Sequence, residues 1–324
     1  MADKLKLGLY WAASCGGCEI AIVELREKIL DLDAAADILF WPCAMDFKYK
    51  DVEAMPDGHM DVCLFNGAIR TSENEEIAHL LRAKSKVLVA FGSCAHEGCI
   101  PGLANLFDRQ SIFARAYLEV PTVDNPEGIL PQTSFQVPEG EITIPRFYNT
   151  VKTLDQVEDV DYYVPGCPPQ APQIWAVIEA ILGGELPPKG SVVGASPNKT
   201  VCDECKHNRE EKRIKKFYRP HEIIPDHETC LFDQGIICSG PATRAGCGAL
   251  CTQVDMPCRG CYGPAPGVID QGAALLSAVA SVVDADTEEE AARIIGEVVD
   301  PAGTFYRFGL PASLLHRRKL ETRD

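Results

Sequence analysis

Apolar residues in the first 180 or so positions come in short unbroken runs separated by segments of helical period. Lys6 to Trp11 reads as a short strand, Asp37 to Phe40 as a second, Met60 to Phe65 as a third, Val87 to Phe91 as a fourth and Asp161 to Val164 as a fifth. Between them, Cys18 to Leu30 places Ile22, Leu25 and Ile29 on one helical face, and Glu73 to Ala83 and Ala171 to Leu182 predict two further helices. Strands that are apolar along their whole length, alternating with helices, predict a parallel sheet covered on both faces.

Residues 119–160 interrupt this pattern. They are rich in proline, with one candidate edge strand at Glu141 to Ile144, and read as an insertion with little structure of its own. Residues 183–199 carry Gly-Gly and Pro-Pro pairs, the chemistry of turns and linkers. The expected division is residues 1–182, a linker at 183–199, a cysteine-rich unit at 200–270 and a helical extension at 271–324. In the extension, Val268 to Val283 and Thr287 to Val299 read as helices. Phe305, Tyr306, Phe308, Leu310 and Leu314 are expected to pack on a core or a partner.

Charge and composition narrow the function. Asp plus Glu number 47 against 31 Lys plus Arg, a formal charge of -16 that disfavours nucleic-acid binding. No apolar run approaches the length of a spanning helix, and no signal peptide is recognised, so a cytoplasmic location is expected. The turn after the first strand reads CGGC rather than a dinucleotide-binding GxGxxG loop, so nucleotide binding is not expected.

The chain carries 15 cysteines, an odd number and too many for the needs of a reduced chain of 324 residues, which points to metal ligation. Cys15 and Cys18, Cys94 and Cys167 each follow a predicted strand, and the carboxyl ends of parallel strands converge on one edge. Four thiolates from three strand ends suit a [4Fe–4S] cluster better than zinc, which is usually held by closely spaced pairs. A thioredoxin-like redox pair at 15 and 18 would leave Cys94 and Cys167 without a role. Cys43, Cys63 and Cys99 are expected to be structural, Cys99 least securely because it neighbours Cys94.

Eight more cysteines follow: Cys202, Cys205, Cys230, Cys238, Cys247, Cys251, Cys258 and Cys261. Taken sequentially they make two sets of four, 202–238 and 247–261, although spacing also permits an interleaved split or two zinc ribbons. A stretch this poor in apolar runs is expected to need bound metal in place of a large core.

GSCA at 92–95 and PGCPP at 165–169 follow the early CxxC. With CLFDQGIICSGPATRAGC at 230–247 and PCRGC at 257–261, they make the chain resemble the small, electron-transferring subunit of nickel–iron hydrogenases. The resemblance implies a flavodoxin-like first domain with a proximal cluster on Cys15, Cys18, Cys94 and Cys167. It implies a distal cluster on Cys202, Cys205, Cys230 and Cys238, and a medial one on Cys247, Cys251, Cys258 and Cys261. Periplasmic members have histidine where Cys202 stands, often lack a counterpart of Cys251, commonly read CTGC and carry an export signal. These departures resemble the cytoplasmic F420-non-reducing branch. That branch implies three [4Fe–4S] clusters, a nickel–iron large subunit as partner, a small iron–sulfur acceptor subunit and a heterodisulfide reductase complex. A complex I-like or other single-cluster subunit with a zinc-binding second domain is the alternative.

Several neighbours of the cysteines remain open at this level. Glu19 suits either proton transfer or a helix start. His96 is expected to make a satisfied polar contact. His207, His221 and His227 lie among the distal-set cysteines, and His227 is the substitute ligand if the grouping fails. The basic run Lys206 to Lys216 suits a solvated face or a partner.

Overall fold

The structure is a computed structural model that describes residues 4–210 and 213–318. Six strands form one parallel sheet: β1 Leu5–Trp11, β2 Ala36–Phe40, β3 Met60–Asn66, β4 Ser85–Phe91, β5 Tyr162–Val164 and β6 Ser191–Val192. Their order is β6-β5-β4-β3-β1-β2, with Leu7 opposite Val62, Val62 opposite Val87 and Val89 opposite Tyr162. This is the doubly wound flavodoxin-like topology. The unbroken apolar runs follow from burial on both faces. Leu7, Leu9, Val62, Leu64, Val89 and Phe91 enter one core, while Tyr10, Cys63, Phe65, Leu88 and Ala90 enter the other.

The first core is closed by Gly17–Val23 (α1) and Ala171–Gly183, the second by Ser72–Lys84. The helix expected over Cys18 to Leu30 is two helices, α1 and Lys28–Ala35. Arg26 between them has φ +57, a left-handed residue that ends the helical ladder. The turn lets Ile22, Leu25 and Leu32 all reach the same core.

The insertion has more structure than expected. Ser134–Val137 and Gly140–Thr143 pair as an antiparallel hairpin, so the strand expected at Glu141 to Ile144 is not an edge of the main sheet. Phe147–Lys152 pairs with Ile69–Thr71. Ser191–Val192, inside the stretch read as linker, adds the sixth strand beside β5.

The cysteine-rich region has little regular structure, mainly short turns and the helix Leu250–Gln253. It nevertheless shares an apolar core, which corrects the expectation that it has none of size. Val201, Ile214, Phe217 and Phe232 pack with Leu275, Val279, Ile294 and Phe305. The last four come from Gln271–Ala280, Glu288–Gly296 and Pro301–Phe305, so the C-terminal helices supply the apolar surface that the cysteine loops lack. Phe308 and Leu310 are also buried, whereas Leu314 is exposed. Hydrogen bonds from Gln156 Nε2 to the Pro311 carbonyl (2.8 Å) and from Cys99 N to the Phe308 carbonyl (2.8 Å) fasten this tail to the sheet half.

Candidate iron–sulfur centres

The carboxyl edge of the sheet gathers the first set of thiols. Cys15 and Cys18 flank the start of α1, Cys94 lies in the helix Ser93–Glu97 after β4, and Cys167 follows β5. Backbone bonds from Gly92 N to the Val164 carbonyl and from Ser93 N to the Gly166 carbonyl, both 2.8 Å, hold the last two loops together. Gly92 has φ +83, and a Cβ there would overlap Cys18 Sγ. Only glycine therefore admits Cys18 to this position. Burial pushes the Cys18 thiol up from its ordinary value, and the charges of Cys167, Cys15 and Glu19 push the same way.

A fifth thiol stands in the same group. Cys99, expected to be structural, is fully buried, and its Sγ lies 3.7 Å from Cys167 Sγ. Cys63 is buried within β3, as read from its apolar run. Cys43 is exposed, and its thiol donates to Glu19 Oε2 at 3.4 Å. Glu19 itself is buried in the first turn of α1 and accepts from the Trp41 indole N–H.

Cys202, Cys205, Cys230 and Cys238 line one small cavity together with Phe232 and Leu231. Cys247, Cys251, Cys258 and Cys261 line another, of about 280 Å³, and Cys167 reaches its wall from the sheet half. The two cavities abut: Cys258 N donates to Cys238 Sγ at 3.2 Å. Burial, foremost, pushes Cys238 up to about 11 and Cys261 up to about 12. Neighbouring cysteines add to both, Cys167 among those acting on Cys261. Such thiols give up their protons when a metal supplies positive charge, so the donor set suits iron–sulfur ligation. Among the described residues, no three His, Cys, Asp or Glu side chains stand in the geometry of a single-ion site. The thiols are grouped by the cavities they share.

The histidines divide. His207 is buried, with Nδ1 3.3 Å from Cys205 Sγ and Nε2 2.9 Å from Asp255 Oδ1. His227 is exposed and bonds Asp255 Oδ2 at 2.6 Å, away from the thiol cavity. His221 lines a different cavity, with Tyr218 and Arg259. Lys206, His207 and His227 together hold the Asp255 carboxyl well below the usual range. Sequence reasoning missed Asp255, because its partners are remote in the chain. Lys206 and Lys215 pair with Asp255 and Asp284, while Glu211 and Lys212 of the same basic run lie outside the described residues. His96 does not make the satisfied contact expected of it. Its ring packs against Tyr163 with the centroids 4.7 Å apart and the planes tilted by 41°, and Nδ1 has no hydrogen-bond partner within the protein.

A doubly wound sheet with thiols on its carboxyl edge defines a class. Residues 15–181 match the family described as NADH ubiquinone oxidoreductase, 20 Kd subunit. Over 320 residues the chain is 42% identical to the iron-sulfur subunit of the F420-non-reducing hydrogenase of Archaeoglobus profundus, covering 97% of this chain and 98% of the relative. It is 38% identical over 320 residues to the corresponding F420-non-reducing hydrogenase subunit of Methanothermobacter marburgensis, covering 97% of each. The corresponding vhu subunit of the F420-non-reducing hydrogenase of Methanococcus voltae is also 38% identical over 320 residues, covering 98% of this chain and all of the relative. The chain belongs to this family of F420-non-reducing hydrogenase iron–sulfur subunits and has a general electron-transfer role in a hydrogenase. No helix among the described residues is long and apolar enough to cross a membrane.

Proposed function

We propose that this chain conducts electrons from H2 oxidation on a nickel–iron large subunit through three [4Fe–4S] clusters to a small iron–sulfur, ferredoxin-like or flavin acceptor. A heterodisulfide reductase complex is the further partner, and the cytoplasm the place. The proximal set is Cys15, Cys18, Cys94 and Cys167. The medial set is Cys247, Cys251, Cys258 and Cys261, and the distal set Cys202, Cys205, Cys230 and Cys238. Residues 1–182 would carry the first and 200–270 the other two, with 183–199 joining them and 271–324 closing the core.

One observation carries the reading: the thiols form a continuous file. Cys18 feels Cys167, Cys167 lines the cavity of Cys261, and the Cys258 amide bonds Cys238 in the last group. Bound clusters would supply one-electron stations along that file. The protein's part is to hold them, to keep water off with Phe232, Tyr262 and Phe308, and to aim amides at sulfur as Cys258 does. Thiolates at 202 and 251, in place of a neutral ligand or none, favour low potentials.

Anaerobic co-purification tests this function. The expected result is a nickel-containing partner and H2-dependent dye reduction that is lost when Cys94 or Cys258 is replaced by serine. Unchanged reduction of an acceptor on the far side of the chain by both variants would refute it.

A further inference from the structure

Glu97 ends the helix that carries Cys94 and is a buried acid with no hydrogen bond to its carboxyl. The residue is 2% exposed, and neither carboxyl oxygen has a hydrogen-bond partner within the protein. One side of the carboxyl rests on Gly263, two residues beyond Cys261. Gly263 has φ +76, and a Cβ there would overlap Glu97 Oε1. The Ser93 hydroxyl donates to the Cys261 carbonyl, tying the same two segments together. Glu97 is therefore wedged between the loops that bear proximal-set and medial-set cysteines.

The other side faces a cavity of about 170 Å³, also lined by His96, Asp155, Asp270, Gln271 and Ser313. Ile269 on its wall is 81% exposed, so the cavity reaches the surface. It has polar groups on its wall and is wide enough for water.

Charged and titratable groups face Glu97 from each neighbouring element. His96 Nδ1 on its own helix is 3.5 Å from Oε1 without hydrogen-bond alignment. Asp155 comes from the turn Leu154–Gln156, Asp270 from the N-cap of Gln271–Ala280, and Arg244 from the loop after Gly240–Ala242. Tyr163 on β5 packs against the His96 ring. Burial dominates, pushing Glu97 up to about 8; Arg244 opposes this and Asp155 adds to it. Burial likewise pushes His96 down, so His96 is uncharged from neutral pH upward, and Glu97 is a carboxylate able to take up a proton only near and above pH 8.

We propose that Glu97 takes up a proton from solvent through this cavity when an electron occupies the adjoining cysteine sites, and returns it when the electron moves on. The inference rests on the cluster reading above. One electron arrives from H2 oxidation, one solvent proton arrives by the cavity, and one O–H bond forms on the Glu97 carboxylate. Departure of the electron breaks that bond and restores the carboxylate. The cause is electrostatic: added negative charge in a poorly polarisable interior disfavours a carboxylate beside it.

Redox titrations of the anaerobic hydrogenase complex, followed by electron paramagnetic resonance across about pH 6 to 10, test this, together with redox-difference infrared spectra. In the wild type at least one cluster potential should fall as pH rises, most steeply near or above pH 8. A protonated-carboxyl band should appear on reduction. Glu97→Gln should lose both the slope and the band, and Glu97→Asp should keep them. A wild type with pH-independent potentials, or a Glu97→Gln complex with the wild-type slope and band, would overturn the inference. With normal iron content and cluster signals, that outcome leaves the cluster reading intact; absence of the signals themselves overturns both. The wild-type slope decides the matter even if a variant does not assemble.

Discussion

Cys94 and Cys258 are both buried, yet different parts of the molecule hold them. Cys94 sits on a helix that directly follows β4, and the sheet below it has two apolar cores that contain no other proximal-set cysteine except Cys18. Cys258 lies in a loop, and Cys258 and Cys238 themselves belong to the core formed by Phe232, Leu275 and Ile294. In the sheet half, the two apolar cores are built almost entirely without the proposed ligands. The clusters proposed for the cysteine-rich half would make ligation and packing one event there, because the loops bring little apolar surface of their own to the shared core.

The largest expected effect separates the halves directly. Cys258→Ser should remove about four irons and also the hydrogen-exchange protection of residues 200–310, whereas Cys94→Ser should remove about four irons and leave the sheet protected. Equal loss of protection in the two variants would break the contrast. Next comes the shared core: Leu275→Ala should destabilise the cysteine-rich half by about 2–5 kcal/mol, read by denaturant unfolding, with the sheet half little changed.

Gly92→Ala sharpens the other side. Strain at φ +83 should cost roughly 1–3 kcal/mol, and the overlap with Cys18 should lower proximal-cluster occupancy, measured as iron per chain. The pH dependence gives a comparable effect. The folded form keeps Glu97 protonated up to about 8 while an unfolded glutamate releases its proton near 4.5, so stability falls as pH rises between these values. His96, held near 4 rather than 6.5, raises stability with pH below 6.5 and offsets this there. Glu97→Gln should therefore gain on the wild type by roughly 1–3 kcal/mol between pH 6.5 and pH 8, visible as a widening Tm difference. The smallest effect is Thr287→Ala, which removes the cap accepting from Glu290 N and should cost about 1 kcal/mol at most, confined to the last helices.

The same contrast governs what could be read from the sequence. Strands β1, β3 and β4 were legible because burial on both faces leaves an unbroken apolar run, and that placed Cys15, Cys18 and Cys94 at one edge. Period alone did not reveal the break at Arg26: it put Ile29 on the face of Ile22 and Leu25, whereas Leu32 joins them in the core. The hairpin at Ser134–Val137 and the two-residue β6 carry no comparable apolar signal. The loops of the second half were legible as a count of thiols but not as a core, because Leu275, Ile294 and Phe305 lie far along the chain from Phe232. Glu97 carries no signal of its own in GSCAHEG; its burial arises where Gly263 and Gln271 approach it.

Mössbauer spectroscopy of the iron-57-labelled chain in its anaerobic complex, with iron and sulfide counted on the same sample, tests the central claim most directly. Three cubane clusters with about twelve irons per chain are predicted. About four irons, with zinc filling the cysteine-rich half, would contradict the account.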